Sequence, residues 1–150
     1  MTALGDFSSG DVLTAADLND IGEWTSFTPS WSNLTVGNGT QTAVYAQLNE
    51  LVVVSFSLTL GSTSSIGTGP RFSLPVTGAS YSDYHSLGVL ACVDGTTIAF
   101  GHVSYTGGNA YPRIGNSSGT YLLSSQLTAS VPFTWGTNDR LMGTFTYRAA

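Results

Sequence analysis

From Leu51 to Leu60 the chain reads Leu-Val-Val-Val-Ser-Phe-Ser-Leu-Thr-Leu. Val52, Val54, Phe56, Leu58 and Leu60 fall on every second position, with Val53, Ser55, Ser57 and Thr59 between them. A strand turns successive side chains to opposite faces, so this spacing gathers the apolar set on one side. A helix would scatter it around the circumference. Thr40 to Gln47 ahead of it also favours strand, and the short polar stretch Leu48-Asn49-Glu50 separates the two. The pattern predicts a β-hairpin whose even-numbered face lines a core and whose Ser55, Ser57 and Thr59 point outward. Leu51 and Val53 share that outer face. Two branched apolar residues there exceed what a solvated surface needs, which makes them candidate subunit contacts.

The rest of the chain continues the strand pattern. Thr25 to Trp31 alternates around Pro29, a residue suited to an edge or bulge. Gly61 to Pro70 reads as a Gly/Ser/Thr loop, Arg71 to Leu74 as a short strand, and Thr77 to Ser86 as a polar loop carrying Tyr81, Tyr84 and His85. Ser86 to Val93 and Thr96 to Tyr105 predict a second hairpin, turned by Asp94-Gly95 in the type I′ manner. Thr106 to Ala110 and Asn116 to Gly119 read as loops around a short strand, Tyr111 to Ile114. Gly119 to Leu123, Val131 to Trp135 and Leu141 to Tyr147 complete the set, with Leu141, Phe145 and Tyr147 on one face. The helical exception is N-terminal. Thr14 to Ile21 has Thr14 as N-cap, Asp17 as its acidic partner, Leu13 and Leu18 at staple spacing, and Gly22 at the end. Two turns of helix are marginal alone, so Leu13, Leu18 and Ile21 call for a partner surface. The chain therefore divides into an arm with one short helix, residues 1–22, and an all-β antiparallel domain, residues 23–150. The domain is expected to be a β-sandwich of jelly-roll-like form. No crossover helices punctuate it, which excludes the α/β folds.

Only 9% of the 150 residues are charged and lysine is absent, against about 25% charged in ordinary soluble domains. Serine and threonine number 20 each, so uncharged hydroxyls take the place of the usual charged surface. Such a surface suits a protein packed into a large assembly or working outside the cell. Net charge is −5 with four scattered arginines, which gives no basic patch for nucleic acid. The single cysteine, Cys92, sits in an apolar run and reads as a buried small hydrophobe. No stretch resembles a signal peptide or a membrane span.

The inventory for chemistry is thin. His85 and His102 are the only histidines, and no metal-ligand spacing, nucleophile elbow or phosphate-cradling glycine loop is present. Glu23 and Glu50 are poorly placed for a glycosidase pair. A triad built from Asp83, His85 and one of many serines would be coincidence. No cofactor is expected. What remains is surface: Tyr81, Tyr84, Tyr105 and Tyr111, with His85, fall in or beside loops, where tyrosine offers large contact area at low entropic cost. They are candidate contacts for a receptor or glycan, and the alternative is that the rings cap the ends of the sandwich.

Two stretches carry a family resemblance. Phe7-Ser-Ser-Gly-Asp-Val-Leu-Thr-Ala-Ala-Asp-Leu-Asn19 resembles the short N-terminal element that opens many minor tail and tail-fibre proteins of tailed bacteriophages, especially those of actinobacterial hosts. The second is an ordered set: Trp24-Thr-Ser-Phe-Thr-Pro-Ser-Trp31, Val36-Gly-Asn-Gly-Thr40, Tyr45, Leu51-Val-Val-Val-Ser-Phe56, Leu60-Gly-Ser-Thr63, Phe72-Ser-Leu-Pro75, Pro132-Phe-Thr-Trp135 and Gly143-Thr-Phe-Thr-Tyr147. It is similar to the C-terminal β-domain of the same proteins. The resemblance implies a non-enzymatic virion component, a homotrimer made in the host cytoplasm. Phe7, Leu13, Leu18 and Ile21 would dock it to tail or capsid proteins, and its knob would meet a host surface. Asn19 and Trp24 are so close that no shaft separates arm from knob, so a capsid decoration protein or head fibre is an equal fit. A carbohydrate-binding module is the reading from another class.

Overall fold

The computed structural model describes residues 10, 12, 14, 22–80, 85–117 and 120–150. The helix expected over Thr14 to Ile21 lies outside the described residues apart from Thr14. So do Phe7, Leu13, Leu18, Ile21, Tyr81 and Tyr84.

The fold is all-β and antiparallel, as the alternation requires. Ten strands follow in chain order: β1 (Thr25–Ser26), β2 (Trp31–Thr35), β3 (Thr40–Leu48), β4 (Leu51–Thr59), β5 (Ser65–Ser73), β6 (His85–Asp94), β7 (Thr97–Thr106), β8 (Asn109–Asn116), β9 (Leu123–Gln126) and β10 (Arg140–Arg148). They form one continuous sheet in the order β1-β3-β4-β10-β6-β7-β8-β5-β2, with β9 added beside β8. The sheet curls on itself, sandwich-like, so that strands far apart in this order face each other. Trp31 of β2 packs 4.7 Å from Phe72 of β5 and 6.3 Å from Phe56 of β4 (ring centroids), and its Nε1–H donates to Gln41 Oε1 of β3 at 2.9 Å.

The hairpin predicted over Thr40 to Leu60 is formed by β3 and β4, in register from Thr40↔Thr59 to Leu48↔Leu51. Asn49 turns it with a left-handed φ of 52°, a conformation asparagine tolerates well. Val52, Val54, Phe56, Leu58 and Leu60 are all buried. Across the ladder, Leu141, Phe145 and Tyr147 of β10 join them, then Leu90 and Cys92 of β6, Val103 of β7, Ala110 and Ile114 of β8, and Ile66 and Phe72 of β5. Cys92 is fully enclosed, and burial pushes its thiol up to about 12. Tyr147 is likewise pushed up to about 12 by burial, and its hydroxyl donates to the Val76 carbonyl at 2.9 Å.

Glycines allow the tight curvature. A Cβ at Gly101 of β7 would lie 1.9 Å from the Arg113 carbonyl oxygen of β8. At Gly143 of β10 it would sit 2.9 Å from the Phe56 ring, so this inward position is left empty for that ring.

Several expectations need correction. Gly61 to Pro70 is only in part a loop, because β5 begins at Ser65. Its Gly/Thr-rich sequence has little strand propensity, yet pairing Leu34↔Ile66 and Trp31↔Phe72 with β2 and burial of Ile66, Pro70 and Phe72 outweigh it. The second hairpin turns on Gly95-Thr96, since Asp94 pairs with Thr97. Only Gly95 of the two has positive φ, at 55°, which fits a turn of II′ rather than I′ kind. Thr106 to Ala110 is a third hairpin: Gly107 and Gly108, at φ 57° and 81°, join Thr106↔Asn109. Gly119 to Leu123 gives way to β9 at Leu123–Gln126. Val131 to Trp135 is no strand. Thr128 and Val131 form an isolated bridge, and Phe133 and Trp135 pack on each other at 4.7 Å while Trp135 Nε1–H donates to the Val131 carbonyl.

Phe72 touches three other rings at the centre, so Phe72→Ala should cost about 3–5 kcal/mol of stability in urea denaturation. Phe100→Ser, on the exposed side of the same sheet, should change it by less than about 0.5 kcal/mol.

Candidate functional site

The outward positions of the sheet are where the structure departs from an ordinary solvated surface. In β7, Ala99, Gly101 and Val103 turn inward, so Ile98, Phe100 and His102 turn outward. Register places Val93 opposite Ile98, Ala91 opposite Phe100 and Val89 opposite His102. Phe100 is 72% exposed and Val89 69%. One step beyond the Gly101↔Ile114 pair, Gly115 stands beside Phe100, and the Leu122 side chain lies over it, 3.2 Å from where a Cβ would be. Leu122 is itself 75% exposed, and Tyr121 and Leu123 flank it. These side chains make a continuous apolar strip across β6, β7, β8 and the start of β9. At ~150–250 Å² for a free large side chain, it presents roughly 600 Å². That is the upper end of what monomeric proteins leave uncovered.

A polar group edges the strip. His102 pairs with Arg113 of β8, and Arg113 pairs with Gln126 of β9. Ser124 Oγ lies 3.4 Å from His102 Nε2. Partial burial, then the neighbouring Arg113 guanidinium, hold His102 below its usual value of 6.5. The Arg113 guanidinium makes the grouping cationic, protonation of His102 adds to its charge, and Asp94, at the hairpin tip, is the only carboxylate in strands β6 to β10. Such a surface can accept an acidic, apolar partner. Among the described residues no cluster of three His, Cys, Asp or Glu side chains is placed to hold a metal ion. Nor is any helix there long and apolar enough to cross a membrane.

At one end of the molecule a cleft of about 260 Å³ opens between the 61–66 segment and the 129–137 loop, lined by Leu60, Ser62, Ser64, Trp135 and Thr137. Hydrogen bonds fix its walls: Asn38 Oδ1 accepts from the Thr63 amide, Ser64 Oγ accepts from the Gly61 amide and donates to the Val36 carbonyl, and Asp139 Oδ2 accepts from the Gly136 amide at 2.6 Å. Its lining holds no ionisable side chain.

Those residues singled out by sequence that the structure describes are dispersed. Leu51 is 51% exposed beside its partner Leu48 at 50%, and Val53 is half-buried. This small patch at the hairpin tip, on β4, lies three strands from Phe100 on β7 in sheet order. His85 is exposed at the start of β6, opposite Tyr105. Tyr105 is not a surface contact. It is 2% exposed, because the inward face of β7 continues through Val103 to it, and its hydroxyl donates to the Gly78 carbonyl. Tyr111 is half-buried in β8. The Phe100 strip was missed because alternation shows that a strand has two faces without showing which is inside. Small Ala99 and Gly101 take the inner side, which leaves Ile98 and Phe100 outside. No protein-family model matches the chain, and comparison with curated proteins and with solved structures finds no significant match.

The His102 shift has a sign that can be checked. A folded value below the unfolded one means that the unfolded chain binds the proton more readily, so stability is full above about pH 6.5 and falls as pH drops from there toward the lowered folded value. Proton NMR should titrate the His102 ring below 6.5, Arg113→Gln should move that value upward, and His102→Gln should flatten the acid-side decline in melting temperature.

Proposed function

We propose that this chain is a non-enzymatic structural protein of a tailed-bacteriophage virion, a minor tail or tail-fibre protein that docks through its N-terminal arm and presents the β-domain as a knob. The observation that carries the reading is the uncovered apolar strip around Phe100, in a chain of which only 9% of residues are charged and none is lysine. A surface of that kind favours permanent contact with other proteins over free solution. The resemblance of Phe7 to Asn19, and of the ordered motifs from Trp24 to Tyr147, to minor tail proteins supports the virion setting. The partners are other copies of the chain and neighbouring virion proteins, and the knob's loops would face a host surface glycan.

A second reading, a capsid decoration protein or head fibre, is favoured by one feature. β1 starts at Thr25, close behind the Phe7 to Asn19 element, which leaves little length for a shaft between the two.

Antibody labelling of intact particles tests both. Label at the tail tip or fibres is expected, label over the capsid selects the second reading, and unlabelled particles reject both. A chain lacking residues 1–22 should keep its β-sheet circular dichroism yet stay out of the particles; normal incorporation would remove the arm's assigned role.

A further inference from the structure

The chain carries an uncovered apolar surface with a cationic edge and, elsewhere in its sequence, an apolar segment rich in acids. One is the strip of Val89, Ile98, Phe100 and Leu122, edged by His102 and Arg113, with Arg140 exposed on β10. The other is the N-terminal segment. It holds Phe7, Val12, Leu13, Leu18 and Ile21, and four of the nine acids, Asp6, Asp11, Asp17 and Asp20, with no arginine, lysine or histidine. Val12, its one described large apolar residue, stands 82% exposed.

We propose that residues 6–21 bind the outer face of β6, β7 and β8 of their own chain, with the apolar side chains on the Phe100 strip and the aspartates toward Arg113, His102 and Arg140. The reach is sufficient. From β1, Arg140 on β10 lies three strands away in sheet order, about 14 Å, and β7 five strands, about 24 Å, at ~4.8 Å per strand; measured back from Thr25, the extended chain reaches roughly 17 Å at Asp20 and roughly 27 Å at Asp17. Tethering raises the effective concentration of the segment to the millimolar range, which an arm from a separate copy lacks in dilute solution. Two like-charged strips meeting face to face would instead set Arg113 against Arg113. The inference stands apart from the virion reading. If both hold, the free protein masks its docking arm on its own sheet, and assembly must exchange that face for the particle.

Hydrogen–deuterium exchange on the full chain tests it. Amides of residues 6–21 should be protected in the wild type and exchange at least tenfold faster in F100D/L122D, whose altered side chains are exposed and whose melting should match the wild type. D17R/D20R, which leaves the sheet untouched, should release the segment in the same way. Exchange at the unprotected rate in the wild type, or unchanged protection in both variants, overturns the proposal. A photo-crosslinking phenylalanine at position 7 in a mixture of light and heavy isotope chains should give adducts to strands β6 to β8 within one chain. Light-to-heavy adducts would assign the face to a neighbour's arm and overturn the own-chain assignment.

Discussion

The contact between Phe56 and Phe72 is the point on which the structure turns. Their ring centroids lie 4.9 Å apart, yet β4 and β5 are separated in the sheet by β10, β6, β7 and β8. A sheet this long can bring those strands together only by curling through its whole width. Trp31 and Phe145 extend the cluster to either side, with Phe145 6.2 Å from Phe56 and 5.9 Å from Phe72. Tilted and edge-on aromatic pairs contribute about 0.5–1.5 kcal/mol each beyond the area they bury. The cluster therefore fixes how far the sheet curls as well as filling its interior.

The outer surface follows from that inner arrangement. Tight curvature needs small residues on the concave side, and Ala99, Gly101 and Gly143 occupy those places in β7 and β10. Alternation then sends the large residues of β7, Ile98 and Phe100, to the convex side. An apolar strip facing outward is thus the counterpart of a sharply bent interior, and a use for that strip is where function enters. The exposed pair Arg148 and Glu50, 4.0 Å apart, adds little by comparison, since surface ion pairs of this kind are screened by water and salt.

Much of the fold was legible in the sequence wherever a strand alternated in both size and polarity. Leu51 to Leu60 declares its buried face because serine and threonine fill the other one. The same holds for Leu141 to Tyr147. β5 was illegible because Ser65-Ile-Gly-Thr-Gly-Pro has the composition of a loop, and only its pairing with β2 makes it a strand. Gly107-Gly108 carried a hairpin signal that a loop-rich context hid. Val131 to Trp135 failed in the opposite sense: its apolar residues are needed to cover the core edge as a folded loop. Of the surface residues, Leu51 could be read from its misfit among serines and threonines. Phe100 could not, because in β7 the apolar residues occupy both faces and only curvature decides between them. Tyr105 misled for the same reason, being a loop neighbour in sequence and a core residue in space.

Through-space NMR contacts test most directly whether one sheet closes over one ring cluster. Nuclear Overhauser effects are predicted between the Trp31 indole and the Phe56 ring, and between the Phe72 and Phe145 rings, in the native protein. Their absence, with the ladder of β3 and β4 intact, would mean an open or differently folded sheet. In that case neither the position of Gly101 nor the outward turn of Phe100 would follow.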